Sequence, residues 1–222
     1  MSPIAHIETC FPSKFGIPRQ AGIVDTPGRI VFEPEFRVRE AVRGLEGFDY
    51  IWLIWQFSQT ARDDWSPTVR PPRLGGNERM GVFATRSPFR PNPIGLSSVR
   101  LLRVEQDSEL GPVLYVSGAD LMDGTPIYDI KPYLPYTDSH PDARSGFASC
   151  PADHLLEVEC PPALLNLLPS ELRQPLFDVL AHDPRPQYQH DPERIYGMAF
   201  SNYEVRFCAN DTQITVVDIR YV

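Results

Sequence analysis

The segment ATRSPFRPNPIGL, residues 84–96, combines arginines and prolines directly before a predicted strand. Each proline fixes its own φ angle and restricts the residue before it, so this backbone loses little entropy when a ligand binds. Arg86, Arg90 and Asn92 would present guanidinium and carboxamide groups from a rigid loop. We interpret the segment as a preorganised site for a polar or anionic ligand; a structural loop whose arginines pair with nearby carboxylates is the alternative.

A second loop, KFGIPRQAGIV at residues 14–24, places Arg19 and Gln20 directly after a proline and before an apolar stretch. Pro18 favours a similarly rigid presentation of polar groups by this loop. A plain connection between two strands would give the same pattern, so this loop supports a site only together with the others.

A third loop belongs to ADLMDGTPIYDIKPYLPY, residues 119–136. DGTP is a turn signature, and the residues after it alternate along an extended segment, which places Asp129, Lys131 and Tyr133 on one face. A carboxylate, an ammonium and a phenol on one face are suited to positioning a ligand or moving a proton. A surface ion pair beside a packed tyrosine would produce the same pattern.

The basic residues are concentrated in the first half of the chain. Residues 1–103 contain 14 Lys and Arg against 10 Asp and Glu, whereas residues 104–222 contain 7 against 19, within a net charge of −8. Arginine forms bidentate contacts with phosphates and stacks on bases, so the first half is suited to an anionic ligand. Unrelated arginines on a solvated face are the alternative.

Several common catalytic motifs are missing from the sequence. There is no G-x-S-x-G, no G-x-G-x-x-G after a predicted strand, and no phosphate-binding loop ending in G-K-[ST]. The five histidines and four cysteines have no metal-ligand spacing, so we expect no metal. Hydrolytic triads, Rossmann cofactor domains and metal catalysis are therefore unsupported.

The elements that must position these loops are mainly strands. Short apolar or alternating runs separated by turn signals predict a sheet curled into a barrel. Apolar spacing in residues 36–47 predicts one helix beside the barrel. Further on, a strand, a leucine-striped helix and a hairpin turning at Asn210–Asp211 predict a second unit. The predicted fold class is mainly β (α+β): a β-barrel domain over 1–145 with a flanking helix, and a small α+β C-terminal domain over 146–222.

The sequence also predicts a cytoplasmic protein with no membrane span. The longest purely apolar run, YIWLIW, is far too short to cross a bilayer. The first residues, MSPIAHIETC, lack both the basic and the continuous apolar region of a secretion signal. Few cysteines without C-x-x-C spacing are typical of a protein in a reducing compartment.

Five stretches occur in this order: KFGIPRQ, AVRGLEGFDYIWLIWQF, VRPPRLGGNERMGVFATRSPFRPNPIGLS, DLMDGTPIYDIKPYLPYTDSHPDA and DPRPQY. Together they resemble the TsaA-like TrmO family, closely over residues 3–145 and more loosely beyond. The resemblance implies S-adenosylmethionine-dependent methylation at N6 of N6-threonylcarbamoyladenosine, beside the anticodon of certain tRNAs. It also implies a β-barrel core without a Rossmann sheet, and a homodimer in which the methyl donor lies near the subunit junction.

The resemblance further implies which residues bind S-adenosyl-L-methionine. The family commonly has His at the position of Ser58, so we expect this residue to contact or shape the donor site rather than to act in catalysis. The expected donor-binding residues are Arg19, Gln20, Ala21, Ser58, Gln59, Arg86, Leu96, Asp123, Gly124, Thr125 and Pro126.

Methyl transfer from a sulfonium is an in-line displacement, so the enzyme mainly holds the donor carbon and the acceptor nitrogen in near-attack geometry. The acceptor is a ureido nitrogen and a poor nucleophile while protonated, so a base, or a group that polarises the ureido carbonyl, should help. We assign the first role to Asp129 and the second to Lys131. The residues expected to bind the tRNA anticodon stem-loop are Arg62, Arg70, Arg73, Arg79, Arg90, Asn92 and Tyr133.

Two other function classes remain open from the sequence. A non-catalytic module that binds S-adenosylmethionine or a nucleotide would need the same loops, since no catalytic group is unmistakable. A hydrolase of a small anionic substrate is the third hypothesis, and the missing triads and metal ligands weigh against it.

The strand YIWLIWQF, residues 50–57, is apolar on almost both faces. Tyr50, Trp52, Ile54 and Gln56 project to one face, and the residues between them to the other. A small barrel covers only one face of such a strand, so a second cover is required. Either the predicted helix beside the barrel or a second subunit would supply it, and the family resemblance favours a homodimer.

Overall fold

The computed structural model describes residues 1–59, 65–71, 78–148, 155–185 and 191–222, in which strands predominate. The α-helices are α1 (Pro135–Asp138), α2 (Pro162–Leu165) and α3 (Ser170–Ala181). The strands are β1 (Ala5–Thr9), β2 (Pro27–Phe32), β3 (Tyr50–Gln56), β4 (Thr68–Val69), β5 (Met80–Gly81), β6 (Ile94–Asp107), β7 (Gly111–Ser117), β8 (Thr125–Pro132), β9 (Glu157–Glu159), β10 (Tyr196–Phe200), β11 (Tyr203–Ala209) and β12 (Gln213–Tyr221).

A closed antiparallel barrel occupies the first part of the chain, with its strands in the order β1-β2-β7-β6-β3-β8. Successive side chains along each strand point alternately into the barrel and out of it, and the inward-pointing ones form the core. Along β3, the side chains of Ile51, Leu53 and Trp55 are buried inside the barrel, whereas those between them lie on the outer face. Ile7 and Ile127 pack in the same core from β1 and β8. The barrel, together with the second unit described below, confirms the predicted fold class.

The segment beside the barrel differs from the prediction of one continuous helix over residues 36–47. Val38 is extended and Gly44 has a φ of +84°, so an α-helix cannot run through either residue. Of the apolar side chains that suggested a helix, Phe36, Val42 and Leu45 still pack against the barrel core, whereas Val38 is exposed. The segment is made of three short 3-10 helices, at Pro34–Phe36, Arg39–Val42 and Leu45–Gly47.

The second sheet has the strand order β10-β11-β12-β9 and is antiparallel except for the parallel pair of β9 and β12. From α3, Leu176 and Val179 are buried in the core of this unit. The predicted hairpin is present, because the Asn210 side-chain oxygen accepts a hydrogen bond from the Gln213 N–H at 2.7 Å in the turn between β11 and β12. The domain boundary after residue 145 stays a prediction.

The core of the second unit also contains residues from the N-terminal part of the chain. Cys10 and Phe11 are buried in it. The Phe11 ring meets Phe200 edge-on with 6.1 Å between the ring centroids, and Phe15 stacks on Phe207 at 6.4 Å. The loop that follows β1 is therefore fixed by the second sheet as well as by the barrel.

Candidate functional site

A cleft of about 510 Å³ lies where the three polar loops meet. Its lining includes residues from 14–20, 56–59, 85–90 and 120–125, together with the start of β6. These segments converge because the end of β3 pairs with the start of β6, and β8 is the other neighbour of β3. The expected donor-binding residues that line this cleft are Arg19, Gln20, Ser58, Gln59, Arg86, Leu96 and Thr125.

An aromatic wall closes one side of the cleft. Trp55 lies directly against Gly95 across the β3–β6 pair, and a Cβ on Gly95 would overlap the indole ring. The Trp55 Nε1–H donates a hydrogen bond to the Ser97 Oγ at 3.0 Å, and the ring centroids of Trp55 and Phe57 are 4.3 Å apart. The glycine therefore allows a large ring to form a fixed surface at the side of the cleft.

A carboxylate that the sequence analysis did not select also lines the cleft. The Ser97 hydroxyl donates to the Asp120 Oδ1 at 2.6 Å, and the Ala21 backbone N–H donates to the same carboxylate. Burial raises the pKa of Asp120, and these hydrogen bonds act in the opposite direction. In the sequence, the one sign that Asp120 is a site residue is a charge between the apolar residues Ala119 and Leu121. Both of these neighbours are buried in the structure.

Two side chains from the first and second loops meet at the rim of the cleft. Arg86 donates a hydrogen bond to the side-chain oxygen of Gln20, and Gln20 in turn donates to the backbone oxygen of Arg19. The Arg19 guanidinium lies 3.5 Å from the backbone oxygen of Asp183, in the second unit. Gly16, with a φ of +100°, lies so close to the second sheet that a Cβ would overlap a side chain there.

Of the two other polar residues singled out in the first loop, Arg90 lines the cleft and Asn92 does not. The Arg90 guanidinium donates to the Thr85 backbone oxygen at 2.8 Å and to that of Ser87 at 3.3 Å, so it braces the loop while also lining the cleft. Asn92 is exposed, and its backbone oxygen accepts the Ile94 N–H at 2.8 Å.

The DGTP turn contributes to the cleft mainly through Thr125. The Thr125 Oγ1 donates to the Met122 backbone oxygen at 2.6 Å, which fixes the turn. Asp123 accepts the Thr9 N–H at 2.9 Å, and Gly124 has a φ of +73°. These two residues and Pro126 shape the turn rather than line the cleft.

Asp129 and Lys131, two of the three residues assigned to one face of the extended segment, lie on β8, and Tyr133 directly follows this strand. Asp129 and Lys131 form an ion pair at 2.8 Å and are opposite Ile54 and Trp52 of β3. The Tyr133 ring packs at 5.6 Å from Trp52. None of the three lines the cleft, although Trp52 does, so this face borders the cleft across one tryptophan.

Part of the expected tRNA-binding surface can be located. Arg70 and Arg79 lie at the short β4–β5 pair, where the Arg79 guanidinium donates to the Thr68 hydroxyl at 2.9 Å. Phe83 is 73% exposed, with its ring 6.2 Å from that of Trp65 and 6.0 Å from the Arg90 guanidinium. Arg62 and Arg73 lie outside the described residues.

A family model described as the tRNA-methyltransferase O N-terminal domain matches residues 6–139, and the TrmO C-terminal domain model matches residues 156–222. These two matches cover most of the chain. The chain belongs to the TrmO family. Both models apply in the chain order expected for this family, so the resemblance stated from the sequence motifs is confirmed.

Curated TrmO-family relatives agree with this assignment. The chain is 44% identical over 224 residues to the tRNA (adenine(37)-N6)-methyltransferase of Escherichia coli K12, covering 96% of this chain and 94% of the relative. It is 43% identical over 215 residues to a Pseudomonas aeruginosa protein provisionally named an S-adenosylmethionine-dependent methyltransferase, covering 93% and 91% of the two chains.

A solved structure of TrmO from Pseudomonas aeruginosa superposes with a TM-score of 0.78 at 36% identity, covering 99% of this chain and 97% of that one. Among the residues that the structure describes, no three His, Cys, Asp or Glu side chains lie together as a metal-binding group. In the same part of this TrmO-family chain, no helix is long and apolar enough to cross a membrane.

Proposed function

We propose that the protein is a tRNA methyltransferase that transfers a methyl group from S-adenosylmethionine to N6 of adenine 37. The observation that carries this proposal is the cleft in which the three family loops meet. The family membership and the names of relatives at 43–44% identity support the same activity. The finer substrate, N6-threonylcarbamoyladenosine, is also part of the proposal and is supported by the sequence motifs.

The cleft fits the chemistry of the donor. Its volume falls in the range of small-molecule sites, and it combines apolar side chains such as Ile94 and Leu96 with guanidinium groups from Arg19 and Arg86. An adenine ring can pack on the apolar residues, while arginines bind a carboxylate. S-adenosylmethionine supplies an activated methyl group. We therefore propose as donor-binding residues those that line the cleft: Arg19, Gln20, Ser58, Gln59, Arg86, Leu96 and Thr125. Ala21, Asp123, Gly124 and Pro126 flank these residues without lining the cleft, and they stay in the proposal because of the sequence motifs.

The acceptor nucleotide would approach the face shared by β3 and β8. Asp129 and Lys131 lie there, and they pair with each other in this structure. For Asp129 to accept a proton and Lys131 to polarise the ureido carbonyl, this ion pair must open towards the substrate. Tyr133, packed on Trp52, would guide the nucleotide to this face.

Exposed aromatic rings beside arginines support an RNA substrate. Single-stranded RNA loops are recognised by stacking unpaired bases on aromatic and guanidinium planes. Phe83, Trp65 and Arg90 provide such planes next to the cleft, and Arg70 and Arg79 add positive charge for phosphates. Because its proposed substrate is a tRNA, we also propose that the protein works in the cytoplasm.

A homodimer is the proposed assembly. The 3-10 segment beside the barrel packs mainly on β6 and β7. On the outer face of β3, Tyr50 is exposed and Trp52 and Ile54 are half-buried, so this face has room for a second cover. Next to that face, on β6, Ile94 is 42% exposed and Leu96 is 57% exposed. A second subunit that buried this surface would also border the cleft, because both residues line it.

The deciding experiment is methyl transfer to tRNA transcripts that carry or lack N6-threonylcarbamoyladenosine at position 37. With labelled S-adenosylmethionine, we expect methyl incorporation into the modified transcript, located at N6 of residue 37 by nucleoside analysis. Incorporation into both transcripts would support a tRNA methyltransferase but contradict N6-threonylcarbamoyladenosine as the required substrate. A protein that binds S-adenosylmethionine but methylates neither transcript would be a non-catalytic binding module.

A further inference from the structure

The charges that line the cleft are strongly unequal. Lys14, Arg19, Arg86 and Arg90 are cationic, and among the described lining residues Asp120 alone is acidic. S-adenosylmethionine carries one carboxylate but two positive groups, the sulfonium and the α-ammonium. The cations of the cleft can bind the carboxylate and the phosphates of the RNA. The positive groups of the donor require an anion, and Asp120 is the group available for them.

Uncharged hydrogen-bond donors hold the Asp120 carboxylate in place, and the charge of Arg86 compensates it only from a distance. Its hydrogen-bond donors, the Ser97 hydroxyl and the Ala21 backbone N–H, are both uncharged. The Ser97 hydroxyl is itself fixed by the Trp55 indole N–H at 3.0 Å. Arg86 donates its hydrogen bond to Gln20, but it is close enough for its charge to favour the ionised form of Asp120. Three elements therefore cooperate to keep one carboxylate oriented at the edge of the cleft.

Holding a carboxylate in this way is unfavourable for the empty protein. Burial disfavours the ionised form and raises the pKa of Asp120. Uncharged hydrogen-bond donors and the charge of Arg86 offset part of this penalty, and a bound cation in contact with the carboxylate would offset more of it.

From this placement, we propose that Asp120 is a donor-binding residue whose carboxylate contacts a positively charged group in the methionyl part of S-adenosylmethionine. Ser97 and Trp55 act as positioning residues for that carboxylate. This inference rests on the proposed function, because it identifies the cleft with the donor site. Asp120, three residues before the DGTP turn, would then recognise the positive charge of the donor.

The test is calorimetric binding of S-adenosylmethionine and S-adenosylhomocysteine to the full-length protein and its Asp120→Asn variant. We expect the variant to bind S-adenosylmethionine about 10-fold to 100-fold more weakly, as for loss of a charged hydrogen bond. S-adenosylhomocysteine keeps the ammonium but lacks the sulfonium. An equal loss for both ligands places Asp120 at the ammonium, and a loss for S-adenosylmethionine alone places it at the sulfonium; either result supports the proposal.

A matched control and a second variant separate this role from a structural one. Asp107→Asn removes a carboxylate from the far end of β6, whose first residues line the cleft, and should leave donor affinity unchanged. Ser97→Ala keeps the Asp120 charge but releases it, so its loss of affinity should be smaller than that of Asp120→Asn. Without ligand, Asp120→Asn should melt at the same temperature as the wild type or higher, because a buried charge is removed.

Wild-type affinity for S-adenosylmethionine in Asp120→Asn would overturn the inference, whatever its melting temperature. Because binding is measured without tRNA, the proposed function can fail separately. In that case the wild type would bind the donor, Asp120→Asn would bind it weakly, and neither protein would methylate tRNA. A wild type with no affinity for S-adenosylmethionine would overturn both.

Discussion

At the scale of single residues, Gly95 determines whether the aromatic wall can form. In the Gly95→Ala variant the new Cβ would overlap the Trp55 indole, so the ring or the strand must move. Overpacking of this kind lowers the free energy of unfolding by about 1–3 kcal/mol. Urea denaturation measures the change, and affinity for S-adenosylmethionine should fall with it. The matched control is Gly81→Ala, whose Cβ would meet nothing within 4 Å; an equal loss in both variants would contradict this explanation.

The second residue-scale prediction concerns the proposed base. Asp129 and Lys131 form an exposed pair, with 45% and 62% of their side-chain surface accessible, so their mutual attraction contributes little to stability. We expect Asp129→Asn to melt within a few degrees of the wild type but to lower the single-turnover rate of methyl transfer by about 100-fold or more. Lys131→Met, which removes the ammonium group proposed to polarise the ureido carbonyl, should also lower the rate in this assay. A rate within about threefold of the wild type for Asp129→Asn would exclude it as the base.

At the scale of elements, the loop after β1 depends on packing against the second sheet. Phe15 stacks on Phe207 only a few residues before Arg19, which lines the cleft. Phe15→Ala should therefore weaken both folding and donor binding, by about 3 kcal/mol in the free energy of unfolding, the low end for a phenylalanine because Phe15 is only partly buried, and at least severalfold in affinity. Denaturation and calorimetry measure the two effects. As a control, Val217→Ala trims an exposed side chain of β12 and should change neither; a Phe15 variant with normal affinity would show that the loop is held by other contacts.

The strands and the loops were accessible to sequence reasoning because their signals are local. The apolar run YIWLIWQF identified β3 as a strand that needs cover on both faces, and the proline-rich loops are visible in the sequence directly. The helix over 36–47 was predicted wrongly because apolar spacing does not report the extended Val38 or the positive φ of Gly44. Asp120 was missed because its partners, Ser97 and Ala21, are distant in sequence and meet it only when the barrel closes.

At the scale of the whole molecule, the basic first half should dominate tRNA affinity. Replacing Arg70 and Arg79 together by alanine removes two positive charges beside the exposed aromatic rings. We expect weaker tRNA binding, with the slope of log affinity against log salt reduced by about one for each phosphate that is no longer neutralised. Filter binding across a salt series measures this slope. Arg220→Ala, in the acidic half, is the control; an unchanged slope in the double variant would mean that neither arginine contacts phosphate.

The assembly can be tested on the same preparation that is used for catalysis. If the exposed surface next to the outer face of β3 joins two subunits beside the cleft, dilution below the dissociation constant should lower methyl transfer per subunit. Sedimentation and single-turnover assays on one dilution series would show the two changes at the same concentration. A monomer with full activity per subunit would contradict a shared site and leave the methyltransferase proposal intact.

Two aromatic contacts, Phe11 with Phe200 and Phe15 with Phe207, join the start of the chain to its end. They therefore bear on the order in which the two units fold during synthesis on the ribosome. Every strand of the barrel is translated before the second sheet, so the barrel can close while the rest of the chain is still being made. The loop that carries Arg19 is synthesised early, but Phe200 of β10 and Phe207 of β11, on which it packs, are synthesised near the end of the chain. A nascent chain would therefore gain its barrel well before it gained affinity for the methyl donor.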